Sequence, residues 1–163
     1  MKIKKEIDSK GFYFSNFPKD KDIYTTILNT LEPNDKIENF FTKVIEDHGF
    51  CFDKLHLVYE DITLGLYHET HTHLTPSDYQ AVVWVPKDSY EGRAFLYGSK
   101  QDLKKHYPEF GDICFMKTND LNFIHGVEPL ETDTLVRTLL ISINYRGKHG
   151  EHVTVSSENL KSI

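Results

Sequence analysis

No stretch of this 163-residue chain approaches the ~20 consecutive apolar residues that a spanning helix needs, so no membrane partner is expected. Cysteine is nearly absent: only Cys51, in FCF, and Cys114, in DICFMK, occur. They stand far apart in apolar surroundings and read as reduced core thiols. That excludes a disulfide scaffold and makes the cytoplasm the default compartment. Positive charge is in deficit, with 19 Lys and Arg against 25 Asp and Glu and a net charge of -6. This balance argues against the basic face of a general nucleic-acid binder, so no nucleic-acid partner is expected, and against a polybasic membrane anchor. The opening MKIKKEIDSK is basic but has no apolar run behind it, so it is not expected to be a signal peptide. Repeats, low-complexity tracts and linkers are also missing. What is present is a globular composition, 39% hydrophobic and 13% aromatic, at a length that suits one domain over residues 1–163.

Apolar spacing divides that domain. Ile23, Tyr24, Ile27, Leu28 and Leu31 recur at helical intervals in KDIYTTILNTL, and Ile37, Phe40, Phe41, Val44 and Ile45 do so in DKIENFFTKVIEDHG. Asp35 with Glu38 predicts a capping box, and Gly49 a C-terminal stop. GFYFSNF, ahead of both, reads as a short strand. Residues 1–49 are thus an N-terminal strand with helices. After Gly49 the apolar period falls to about 2. FCFDKLHLVY, ITLGLYHE, DYQAVVWVP, RAFLYG, DICFMK, NFIHGV and LVRTLLISINY all read as strands. Turn residues in LTPSD, KDSYEG, YPEFGD and ETDT separate several of them. SKQDLKKHY predicts a short helix or an insertion. With no alternating βαβ rhythm, these strands predict a mainly β fold, an antiparallel sandwich or barrel, over residues 50–145. Residues 146–163 are expected as a peripheral strand or loose tail.

LGLYHETHTH, residues 64–73, holds three of the nine histidines within six residues. In an extended strand residues i and i+2 share a face. Regular alternation puts Tyr67, Glu69, His71 and His73 on one face, and Leu64, Leu66 and His68 on the other. His71 and His73 can then aim two imidazoles at one metal ion. His125, ending an apolar run in NFIHGV, is the candidate third ligand. His48, His56, His106, His149 and His152 read as solvated surface side chains. Trp84 and Tyr79 read as packing residues.

Arg137 adds a second signal. Its strand alternates Arg137, Leu139, Ile141 and Ile143 on one face, with Thr138, Leu140, Ser142 and Asn144 on the other. A guanidinium on the more apolar face requires an anionic partner. Either an internal Asp or Glu or a bidentately bound anionic ligand would serve.

In this order the residues from about Tyr59 to Tyr145 resemble the iron(II)- and 2-oxoglutarate-dependent oxygenases, particularly their small prolyl-hydroxylase-like members. HTH at 71–73 stands where that family carries His-x-Asp/Glu. GDICFMKTNDLNFIHGV is similar to the strand leading into the distal His, which falls on His125. QAVVWVPKDSYEGRAFLYGS is similar to the family's strand, turn and strand. Arg137 falls at the position that binds the far carboxylate of 2-oxoglutarate. The resemblance implies a double-stranded β-helix, a cupin-like jelly roll, with Fe(II) as metal and 2-oxoglutarate as co-substrate. His71, His73 and His125 would be the metal and catalytic residues, Arg137 would bind the co-substrate, and Tyr67 could donate a hydrogen bond to it. The implied activity is a dioxygenase reaction that consumes dioxygen and hydroxylates a small molecule or an amino-acid or peptide side chain. A homodimer is compatible with this reading.

The departure is His73, which stands where the family has a carboxylate. Three readings follow: a three-His iron site; a site completed by Glu69 or Asp78; or another branch of the same barrel. GLYHETHTH also resembles the first cupin motif, and three-His iron sites occur in thiol dioxygenases of that superfamily. The Glu expected after His-x-His is absent, as is the Pro-x-Gly spacing of the second cupin motif. A catalytically silent metal-binding jelly roll is a further alternative.

Overall fold

Local sequence rules account for most of the elements. The computed structural model describes residues 2–62, 68–74, 77–87, 94–128, 135–144 and 151–154; residues 62, 68–71, 73, 74 and 151–154 among them are placed by backbone alone. In chain order the elements are α1 (Lys2–Lys10), β1 (Phe12–Asn16), α2 (Lys21–Asn29), α3 (Asp35–Asp47), β2 (Leu55–Ile62), β3 (His68–Leu74), β4 (Tyr79–Pro86), β5 (Phe95–Gly98), β6 (Leu103–His106), β7 (Asp112–Lys117), β8 (Ile124–Val127), β9 (Val136–Ile143) and β10 (Glu151–Thr154). Among the described residues no helix is long and apolar enough to cross a membrane.

Helix α2 starts where Asp20 accepts the Ile23 N–H (3.0 Å), and α3 where Asn34 accepts the Ile37 N–H (3.1 Å). The N-cap of α3 is therefore Asn34, one residue before the expected Asp35. Asp35 and Glu38 lie in the first turn, where carboxylates face the positive end of the helix dipole. Gly49, at φ 88°, ends the segment as expected. Leu31, expected on the apolar face of α2, lies past the helix end and is 93% exposed. The opening segment forms α1, which periodicity did not announce; its Ile7 is fully buried.

The strands form two antiparallel five-stranded sheets, ordered β1-β7-β4-β9-β2 and β10-β3-β8-β5-β6. From β2 to β5 successive strands alternate between the sheets, and β7 to β9 do so again. That is a jelly roll with helices on one side, as the strand pattern and the family resemblance implied. The central strands of the first sheet, β7, β4 and β9, are buried on both faces. Ala81, Val83, Val85, Leu139, Ile141 and Phe115 pack against Ile23, Ile27, Ile37 and Phe41 of the helices. Phe12, Val82, Trp84, Cys114 and Met116 look toward the second sheet and meet Phe95 and Tyr97 there. Trp84 and Tyr79 are packing residues, as read. Cys114 is a buried core thiol as expected, whereas Cys51 is exposed because it precedes β2 rather than lying in it.

SKQDLKKHY is neither helix nor insertion. Its second half is β6, hairpin partner of β5. Gly98, at φ 137°, makes that turn, and a Cβ there would collide with the Asp102 carbonyl oxygen. The C-terminal segment contributes β10, which lies along β3 at the edge of the second sheet.

Candidate metal centre

Strand β3 does not alternate regularly. His68 lies opposite Val127 and His71 opposite His125, so three steps on β3 match two on β8. This is a one-residue bulge, which shifts the parity of everything before it. Antiparallel partners share a face of the sheet. The bulge therefore puts position 68 on the same face as 71 and 73, where regular alternation had put it opposite. Tyr67 lies outside the described residues, and Glu69 is placed by backbone alone inside the bulge. Beyond the bulge Thr72 is buried, and its hydroxyl donates to the Asp120 carbonyl oxygen (3.2 Å). That contact fixes the alternation around positions 71 and 73.

His71, His73 and His125 thus occupy adjoining positions on the inner face of the second sheet. The His125 ring is half-buried, with centroids 6.5 Å from Phe12 and 5.8 Å from Phe95. Tyr97, directly opposite His125 on β5, packs on Phe12 (5.4 Å) and Phe14 (4.7 Å). Burial raises the Tyr97 pKa, with smaller contributions from Cys114 and Asp102. An apolar, aromatic wall therefore stands beside the histidine positions, with one protonated phenol in it. Among the described side chains no group of three or more His, Cys, Asp or Glu could hold a metal; the side chains of positions 71 and 73 are not among them.

Arg137 is elsewhere. It projects from the helix-facing side of β9 and forms a two-pronged ion pair with Asp61, its cross-strand neighbour on β2 (Nε–Oδ1 2.7 Å, Nη2–Oδ2 3.0 Å). Nη1 donates to the Ile27 and Thr30 carbonyl oxygens at the end of α2 (2.7 and 2.5 Å). The Tyr59 ring lies 4.4 Å from the guanidinium carbon. The expected co-substrate role is corrected on this ground: the fork is filled by an internal carboxylate, on the face of the sheet opposite His125. Asp78, the alternative carboxylate, accepts a hydrogen bond from the Asn144 side chain (2.9 Å).

Two of the histidines expected as surface groups are not simply solvated. His48 bonds Ser15 Oγ (2.8 Å) and the Val44 carbonyl oxygen (2.7 Å). His106 bonds Asp112 (3.1 Å), with its ring against Phe14. His152 stands opposite His73 in the backbone register of β10 on β3. His56 is exposed, and His149 lies outside the described residues.

No family profile matches the chain, and no curated protein sequence does. Solved structures do match in fold. A prolyl-4-hydroxylase from Pseudomonas putida superposes with a TM-score of 0.62 at 10% identity, over 88% of this chain and 92% of the other. A prolyl hydroxylase in complex with a hypoxia inducible factor peptide fragment from Trichoplax adhaerens gives 0.61 at 9%, over 85% and 86%. HygX from Streptomyces hygroscopicus, with nickel and 2-oxoglutarate bound, gives 0.56 at 13%, over 84% of each chain. The chain has a 2-oxoglutarate/iron(II) oxygenase-like fold.

Proposed function

We propose that this jelly roll is an iron(II)- and 2-oxoglutarate-dependent oxygenase that hydroxylates a small molecule or an amino-acid or peptide side chain, with His71, His73 and His125 as metal ligands. The carrying observation is the register that sets His71 against His125, with His73 two residues on, across two neighbouring strands of the inner face. Three neutral imidazoles suit iron(II), and three protein ligands would leave positions open. The metal would supply redox chemistry with dioxygen and 2-oxoglutarate. The chain's own residues would do the rest. Phe12 and Phe95 exclude water beside His125, Phe14 packs on Tyr97, and Tyr97 presents a phenol hydroxyl whose pKa burial raises further. The Trichoplax protein carries a peptide and HygX carries 2-oxoglutarate, which supports the substrate and co-substrate classes. We take residues 1–163 as one domain and the cytoplasm as its compartment, which suits the exposed Cys51 thiol.

The Arg137–Asp61 pair favours a second reading, a three-His oxygen-using iron enzyme that takes no 2-oxoglutarate. Anaerobic titration with iron(II), then with 2-oxoglutarate, separates the two by whether a visible charge-transfer band develops. Stoichiometric iron binding is expected to vanish in His71→Ala and His125→Ala and to persist in His56→Ala. Binding that survives the double change at 71 and 125 would remove this site. His73→Asp should keep iron. If Glu69→Ala or Asp78→Ala loses metal while His73→Ala keeps it, the third ligand is that carboxylate.

A further inference from the structure

With Arg137 occupied, the far end of a dicarboxylate needs another cation, and the register of the second sheet supplies one. His71 lies opposite His125, His125 opposite Tyr97, and Tyr97 opposite Lys104. These four residues form one row across β3, β8, β5 and β6. Because antiparallel partners share a face, Lys104 belongs to the inner face on which His125 and Tyr97 lie. Neighbouring strands are ~5 Å apart, so Tyr97 stands one step and Lys104 ~10 Å from the His125 position.

The two adjacent lysines of β6 are treated differently. Lys105, on the outer face, pairs with Glu128 (2.6 Å). Lys104 has no ion-pair or hydrogen-bond partner among the described residues, and it is exposed at the sheet edge. Among the described strand positions of both inner faces, Lys104 is the sole lysine or arginine. The Tyr97 hydroxyl likewise has no described hydrogen-bond partner, although its ring is packed on Phe12 and Phe14. A donor and a cation in line with the metal-ligand positions make a receptor for a carboxylate at the end of a short chain.

We infer that Lys104, with Tyr97 between it and His125, binds the far carboxylate of the dicarboxylate co-substrate. This rests on the proposed function above. It places the anchor on β6, an edge strand, rather than on the strand after the distal histidine. The long lysine stem lets an ammonium at the sheet edge reach inward, and the phenol adds a second, directional hydrogen bond.

The test uses the full chain loaded anaerobically with iron(II) and two probes, 2-oxoglutarate and 2-oxobutyrate. The second keeps the oxo-acid end and lacks the far carboxylate. In wild type, 2-oxoglutarate is expected to bind more tightly than 2-oxobutyrate. Lys104→Ala should weaken 2-oxoglutarate by about 10- to 100-fold, the range of one charge-assisted hydrogen bond. Affinity for iron(II) and for 2-oxobutyrate should not move. Lys104→Arg should recover most of the loss, and Tyr97→Phe should weaken 2-oxoglutarate by a smaller factor. An unchanged 2-oxoglutarate affinity in Lys104→Ala overturns the assignment while leaving the oxygenase reading intact. A wild-type protein that binds iron(II) but neither oxo acid overturns the co-substrate reading itself, and the Lys104 assignment with it.

Discussion

Truncating Arg137 to alanine would leave the Asp61 carboxylate and two carbonyls at the end of α2 without their donor. Breaking a fully buried pair costs roughly 3–5 kcal/mol; Asp61 keeps 42% of its side chain in water, so a loss of about 2–3 kcal/mol is expected from urea unfolding. Arg137→Lys should recover only part of it, because an ammonium cannot span two carboxylate oxygens and two carbonyls at once. If the alanine variant keeps wild-type stability but loses 2-oxoglutarate binding, the internal pair is not its role. The need for an anion was legible from Arg137's apolar strand face. Its identity was not, because Asp61 is 76 residues away and becomes a neighbour only through the register of β2 on β9. The cysteines make a second case. Ellman's reagent should titrate one thiol in the native protein, Cys51, and both in denaturant. Cys114 is fully buried, and burial pushes its pKa well up, so the reactive thiolate is doubly withheld.

Elements with strong periodicity were readable, and elements defined by their partners were not. Helices α2 and α3 announce themselves through apolar residues at helical spacing, and β4, β7 and β9 through long apolar runs. Strand β6 reads LKKH, which has no strand signature of its own; pairing with β5 makes it a strand. The bulge in β3 is equally silent, because an inserted residue looks like any other in sequence. It is also what reverses the face of position 68. Gly98 carries the β5–β6 hairpin, so Gly98→Ala should cost about 1–3 kcal/mol through its positive φ and the clash with the Asp102 carbonyl. Thermal unfolding measures this. The same variant should weaken 2-oxoglutarate in parallel with Lys104→Ala, since the turn sets the register of Lys104 on Tyr97; intact binding in a destabilised protein would separate turn from site.

Across the whole molecule, ionisation of half-buried phenols is expected to lower stability at alkaline pH. Tyr79 is pushed up to about 12, first by burial and then by the nearby Asp8, to which it donates a hydrogen bond (2.9 Å), and by Asp78; Tyr97 is also raised. A group whose folded pKa exceeds its unfolded value contributes stability in full below the unfolded pKa, ~10 for tyrosine, and loses it as pH rises through the folded one. Stability should therefore fall between about pH 10 and 12. In a spectrophotometric titration some of the nine tyrosines should ionise only above the ordinary phenol range. Tyr79→Phe should flatten that part of the stability profile. The jelly roll was legible as a class from its run of short strands, but the sheet order was not, because each sheet is closed by segments far apart in sequence.

That strand order has a bearing on how the chain is made. In the first sheet β9 sits between β4 and β2, and β9 is the partner of β2 among the described strands. During synthesis β2 emerges early and then waits for residues 136–143 before it can pair. The apolar rows of β4 and β7 can join much sooner. His71 likewise waits for His125, and β3 waits for β10 on its other side. Until residues 136–143 have been made, β2 therefore lacks the strand it pairs with in the folded sheet. Unpaired strand edges invite wrong partners. A ribosome stalled before residue 136 should hold a chain that proteases cut within residues 55–62, and one stalled with residues up to 154 clear of the exit tunnel should not.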